Sequence, residues 1–259
     1  MSASKYYESI SKVLDAIHQR QGVNIGKAGE LFAAAIAAGK RVYLFGSGHS
    51  VIPVMDVFPR YGSFVGFYPL YDPRLMWHNV IGGGGARELL WLERREGYVE
   101  QFLQSYSFEP GDCMMVFSHG GLNAAGIETA LYAKERGLKV VTVSSHANRE
   151  VSAATHSSGK QLPDVADIAI DNCVAPEDSQ VDIGRAEKVA AGSTMAAVFI
   201  AMSLVAETGA RLAARGFKPP TFVSPNVEGV AKDHNQQVFR AYTEKWYERS
   251  PVPSPAGVE

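Results

Sequence analysis

Two short stretches carry residue types able to do chemistry: LFGSGHS at 44–50 and VFSHGGLN at 116–123. Each is an apolar run that ends in glycine, hydroxyl or amide side chains and one histidine. Gly46, Gly48 and Gly120 let backbone amides approach a ligand closely, and Ser47, Ser50, Ser118 and Asn123 add hydrogen bonds from hydroxyl and amide groups. Such a pair of loops suits an anionic group on a small molecule. A tight turn leading into a capped helix accounts for the same composition, so the loops by themselves leave both readings open.

The elements that must position these loops follow from periodicity. FEPGD reads as a turn, CMMVFS as a buried strand, AAGIETALYAKERG as a helix ended by Gly137, and LKVVTVSS as a second buried strand. This is one βαβ crossover whose strands are apolar throughout, as parallel strands covered on both faces must be. Further strands are expected at 41–45, 64–70 and 167–171, and helices at 50–59, 87–105, 193–214 and 229–247. Ile10, Val13, Leu14 and Ile17, then Ile25, Ala28, Leu31, Phe32, Ala35 and Ile36, predict two helices before the first strand, separated by a polar break. The segment 172–192 reads as irregular. The sum is an α/β fold, a three-layer sandwich around a five-stranded parallel sheet, in one domain over 1–249 with a disordered tail at 250–259. Both loops then lie beyond the carboxyl ends of strands, where open parallel sheets bind ligands.

Composition excludes several classes. The 25 basic and 27 acidic residues are spread without long single-sign blocks, which gives no footprint for gripping a nucleic acid. The start has no secretory pattern, and the apolar run GSTMAAVFIAMSLVA is shorter than the roughly 20 residues that cross a bilayer, so a core helix and no membrane partner are expected. Cys113 and Cys173 suggest neither a disulfide framework nor a thiolate metal site, and a cytoplasmic location fits. GSGHSV has valine where a dinucleotide fingerprint needs its third glycine, although Asp72 lies near the usual distance for a ribose partner. Neither a P-loop nor a G-x-S-x-G elbow occurs.

LFGSGHS, FSHGGLN, ALYAKERGLKVVTVSS, HSSGKQLPDVADIAIDN and EKVAAGST occur in this order over residues 5–240, and together they resemble the SIS (sugar isomerase) domain family, in particular a single-domain subgroup of phosphosugar isomerases. The resemblance implies a flavodoxin-like SIS fold and a small-molecule anionic sugar as partner. It implies no cofactor and no metal, and a homodimer or homotetramer with sites near the subunit interface. By position it assigns Ser47 and Ser50 to a first anion-binding loop, Ser118 and Asn123 to a second, and Ser193 and Thr194 to the start of a later helix. Relatives tend to read S-N-S-G-x-N in the second loop, where this chain has Ser118, His119, Gly120, Gly121, Leu122 and Asn123. One hydroxyl is thus replaced by Gly120 and His119 is new, which leaves open whether the anion is phosphate or another acid group.

Aldose–ketose interconversion moves a proton between adjacent carbons through an enediolate, and it needs a base and a donor to the oxygen. His49, His78, Glu93 and Glu187 match the subgroup pattern and are the candidates for these roles. Each has a plain structural alternative: a cap for His49, interface packing for His78, a solvated helix face for Glu93 and a surface ion pair for Glu187. Asp56 is a further acidic candidate, and Trp77 and Trp91 either pack or stack on a sugar face. The expected function is an isomerase of a phosphorylated or otherwise anionic sugar; the alternatives are a non-catalytic phosphosugar sensor and a SIS-type lyase or deglycase.

Overall fold

Runs of residues that are apolar on both sides of the strand can form only a sheet covered on two faces. The structure, a computed structural model, describes residues 1–249, so the expected tail at 250–259 lies outside the described residues. Five strands, β1 (Val42–Gly46), β2 (Phe67–Pro69), β3 (Cys113–Phe117), β4 (Lys139–Ser144) and β5 (Ile168–Asp171), pair in parallel in the order β2-β1-β3-β4-β5. Every residue of β1 and β3 is buried. Alternate side chains enter opposite layers. Val42, Leu44, Met115 and Phe117 meet α1 (Ser2–Ala37), α2 (Val51–Val57) and α8 (Ser193–Ala214). Tyr43, Phe45, Met114 and Val116 instead meet α3 (Ala86–Leu92), α4 (Tyr98–Leu103), α5 (Ala124–Glu135) and α7 (Leu162–Val165). The short α6 (His146–Val151) follows β4, and α9 (His234–Tyr247) stacks Tyr242 and Trp246 on Tyr68 at the β2 edge.

The strand order reverses between β1 and β3, which makes the crevice beyond their carboxyl ends the place where an open parallel sheet receives a ligand. Gly46, the last residue of β1, lies in register with Phe117, the last of β3, so the two glycine loops start side by side.

Several boundaries differ from the sequence expectation. The two amino-terminal helices are one, α1, because the polar residues at the supposed break serve the sheet edge: Asn24 Nδ2 donates to the Ala169 carbonyl at 3.2 Å and Gln21 Oε1 accepts from the Asp171 amide at 3.3 Å. The helix expected at 87–105 is split into α3 and α4 by Gly97, whose φ of 83° no helix accepts. The strand at 64–70 shrinks to Phe67–Pro69, the helix at 50–59 to α2, and the helix at 229–247 begins only at His234. The segment 172–192 holds an antiparallel hairpin, β6 (Ser179–Val181) with β7 (Val189–Ala191). The apolar run at 192–206, read as too short to cross a bilayer, lies in the helix expected at 193–214: α8 has 22 residues and is long and apolar enough to span one. Ala196, Ile200, Ala201 and Leu204 are nevertheless buried with α1 in the core, the role expected of it.

Candidate functional site

The first loop is folded tightly back on itself. A Cβ built on Gly46 would stand 2.1 Å from the Ser50 carbonyl oxygen, and one on Gly48, which has a φ of +57°, would stand 2.9 Å from Trp77 Nε1. Only glycine permits either approach. Residues Gly48–Ser50 form a single 3-10 turn that runs into α2. The exposed His49 ring packs on Trp77 with centroids 4.8 Å apart, and Trp77 Nε1 is buried without a hydrogen-bond partner among the described residues.

The second loop continues from β3. Ser118 donates its amide to the Val143 carbonyl at 2.9 Å, and its hydroxyl accepts from the Gly121 amide at 3.2 Å. His119 then turns toward the first loop. Asn172 accepts from the Val174 amide through Oδ1 at 3.0 Å, so its Nδ2 faces His119 Nδ1 at 3.1 Å. A nitrogen that accepts carries no proton, which puts the proton of neutral His119 on Nε2. That atom is buried and has no partner among the described residues. His49, Ser50, His119, Asn172, Ser193 and Thr194 line one small cleft, with Phe117, Val143 and Ala197 as its apolar floor. The amino terminus of α8 opens on it, adding the positive end of a 22-residue helix.

Glu93 lies behind the first loop, at the end of α3, with 6% of its surface exposed. The Ser47 hydroxyl donates to its Oε2 at 2.8 Å, and its carbonyl accepts from the Ala125 amide at 2.9 Å at the start of α5. It thereby ties the first loop to the helix that follows the second. Burial pushes its carboxyl above the ordinary carboxylate range, and the Ser47 hydroxyl, the charge of Arg94 and the Asn123 amide only partly oppose this.

The SIS domain family model matches residues 5–145, and the chain is 33% identical over 242 residues to a UPF0309 protein of Oceanobacillus iheyensis, covering 93% of this chain and 96% of that one. This chain belongs to the SIS domain family. A UPF0309 protein of Shouchella clausii is 34% identical over 226 residues, covering 87% of this chain and 90% of its own. Among solved structures, a phosphoheptose isomerase from Francisella tularensis superposes with a TM-score of 0.54 at 12% identity, over 80% of this chain and 96% of that one, which shows the shared fold.

Within this SIS fold the sequence-derived candidates separate. His49, Ser50, His119, Ser193 and Thr194 converge on the cleft, while Gly46, Ser47, Gly48, Ser118, Gly120 and Asn123 build its two loops without lining it. Three expected anion-binding hydroxyls are engaged elsewhere: Ser47 with Glu93, Ser118 with Gly121, and Ser193 with Asp178. Asp178 also accepts from the Gly192 and Ser193 amides at 3.0 and 2.7 Å, so an internal carboxylate already meets part of the positive α8 terminus. His78 is exposed in the loop before α3, and Glu187 is exposed in the turn between β6 and β7; neither lines the cleft.

Asp56 pairs with Arg60 at 2.6 Å, and Asp72 is buried against Arg74 and Tyr98, which leaves it no role as a ribose partner. Trp91 is exposed and sits under the Arg95 guanidinium. Burial pushes the Cys113 thiol up to about 12 and the Cys173 thiol up to about 11, so neither is a ready thiolate at neutral pH. Sequence reasoning missed Asn172 and Asp178. Asn172 follows β5 directly, and the strand-end rule applied to IAIDN would have found it; Asp178, 15 residues before its Ser193 partner, carries no local signal.

Proposed function

We propose that this SIS domain, spanning residues 1–249, binds an anionic sugar of the phosphosugar class in the cleft and interconverts its aldose and ketose forms. The observation that carries this reading is the buried, unpartnered Nε2–H of His119 in a cleft lined from both strand-end loops. An apolar floor with few convergent polar groups is the usual make-up of a small-molecule site. The anion takes the Ser50 and Thr194 side of the cleft, next to the α8 terminus. Glu93 stands behind Ser47 and does not line the cleft, so the bound sugar must displace the Ser47 hydroxyl to reach it. Its carboxylate then removes the proton from the carbon beside the carbonyl and returns it to the neighbouring carbon. The His119 Nε2–H donates to the oxygen on which enediolate charge develops, and the proton of the neighbouring hydroxyl passes to that oxygen as the carbonyl moves to the adjacent carbon.

The test is proton exchange followed by NMR in heavy water over a panel of sugar phosphates. Exchange at the carbon beside the carbonyl supports isomerisation; thermal stabilisation without exchange means a sensor and overturns it. His119→Ala is expected to lower kcat about 100-fold with KM changed little, the pattern of a contact made chiefly in the transition state. Ser50→Ala is expected to weaken sugar-phosphate binding about tenfold with Tm unchanged, as read by calorimetry. Equal binding by the variant would remove the first loop from the anion site.

The same reading makes the protein a cytoplasmic homodimer or larger homo-oligomer. Exposed Val80, Ile81 and Trp91 around α3 support a partner surface, and light scattering of the purified chain tests it.

A further inference from the structure

A second cluster of side chains lies outside the cleft, where the turn between α3 and α4, the helix α5 and the segment joining α6 to α7 meet. His156, in that segment, has only 7% of its side chain exposed, yet its Nε2 has no hydrogen-bond partner among the described residues. It points between two carboxylates: Glu128 Oε1 stands 3.7 Å away and Glu96 Oε2 3.9 Å away. Glu128 Oε2 is likewise buried and unpartnered among the described residues. Neither glutamate forms an ion pair with lysine or arginine among the described residues, where His156 is the partner of both. One donor atom from each of the three residues falls within 4.8 Å of the other two.

These separations are too long for hydrogen bonds. They are close to the spacing of two ligands on one small cation, since bonds of about 2.0–2.1 Å at a tetrahedral angle set neighbouring donors about 3.4 Å apart. The two histidine–carboxylate edges need to close by a few tenths of an ångström, and the edge between the carboxylates, at most 4.8 Å, by more. The glutamates are already oriented. The Gly97 amide donates to Glu128 Oε1 at 2.6 Å, and the Ser157 amide donates to Glu96 Oε1 at 2.7 Å, with the Ser157 hydroxyl on Oε2. The other ring nitrogen of His156, Nδ1, lies 2.8 Å from the Ser158 hydroxyl, which can take its proton when Nε2 coordinates. The Ser158 amide, now 3.1 Å from Nδ1, must then turn aside.

We propose that His156, Glu128 and Glu96 form a binding site for one divalent transition-metal ion, Zn2+ or a close relative, with water in the remaining position. One imidazole and two carboxylates suit that class, whereas Mg2+ and Ca2+ favour all-oxygen shells. The site is structural. Glu96 follows Glu93 by three residues, Glu128 lies on the helix after the second loop, and Thr155, beside His156, donates its hydroxyl to the Leu122 carbonyl at 2.8 Å. The ion would pin together three segments that surround the second loop and the Glu93 turn. The assignment is independent of the isomerase reading.

The test uses the full chain, stripped with a chelator and titrated with Co2+ and then Zn2+. Expected are a visible d–d absorption band with one Co2+ per chain, displacement by Zn2+, and a higher Tm with metal. His156→Gln and Glu128→Gln should each weaken binding by about tenfold or more, and the half-exposed Glu96→Gln, which threatens folding least, should do the same. His119→Ala serves as the control and should bind as the parent does. Absence of a band, a band that survives His156→Gln, or one lost in His119→Ala overturns the site.

Discussion

Glu93→Gln is expected to lower kcat by about 100- to 10,000-fold, the range a positioned general base contributes, while the chain stays folded. The amide keeps the shape of the carboxyl and can still accept from the Ser47 hydroxyl, so the two loops remain tied. Stability should respond in the opposite direction to activity. A buried carboxyl whose pKa is raised in the fold binds its proton more tightly there than in the unfolded chain. Below the unfolded value, about 4.3, both states are protonated and Glu93 costs nothing; as pH rises from there through the raised folded value, ionisation favours the unfolded chain. The variant should therefore melt above the parent at neutral pH, with the difference closing in acid. The kcat of the parent should fall in acid with an apparent pKa above that of an ordinary carboxylate. Thermal scans and pH–rate profiles check both, and a variant that retains full turnover would remove Glu93 as the base.

Gly46→Ala is expected to destabilise the protein by about 2–3 kcal/mol and to abolish sugar binding. Its Cβ would meet the Ser50 carbonyl oxygen at 2.1 Å and carbon at 2.6 Å, and the Val51 nitrogen at 3.1 Å. All three are backbone atoms, so no side chain can swing clear. Gly46 is also fixed in register with Phe117, which leaves the turn at 47–50 as the part that must move. That displaces Ser50 and His49 from the cleft together. The drop in Tm should be about 4–10 °C for a chain of this size. Gly83→Ala, where a Cβ meets nothing within 4 Å, should change Tm little and serves as the control. Equal melting of the two variants would mean that the first loop relaxes freely.

Much of the fold was legible because its signals are local. The helix expected at 193–214 is α8 to the residue, and the βαβ unit from Cys113 to Ser144 lies where its apolar runs and Gly137 place it. A run's length and period depend on neighbours within a few positions. The misplaced boundaries have non-local causes: the polar residues that read as a break in α1 are those that bond β5. Glycine also ends a helix more sharply than periodicity shows, as Gly97 does between α3 and α4.

The site divides in the same way. By itself the sequence determined that two glycine loops follow two buried parallel strands, and it brought His119, Ser50 and Glu93 into the candidate set, because residue type and strand-end position are written in the chain. Only the tertiary structure decided which of them can act. Glu93 is buried on Ser47 from 46 positions away, His119 has its tautomer set by Asn172 from 53 away, and Ser193 is claimed by Asp178, while His78 and Glu187 stay in solvent. Hydrogen-bond partnership and desolvation are properties of atoms brought together in space, and no spacing along the chain encodes them.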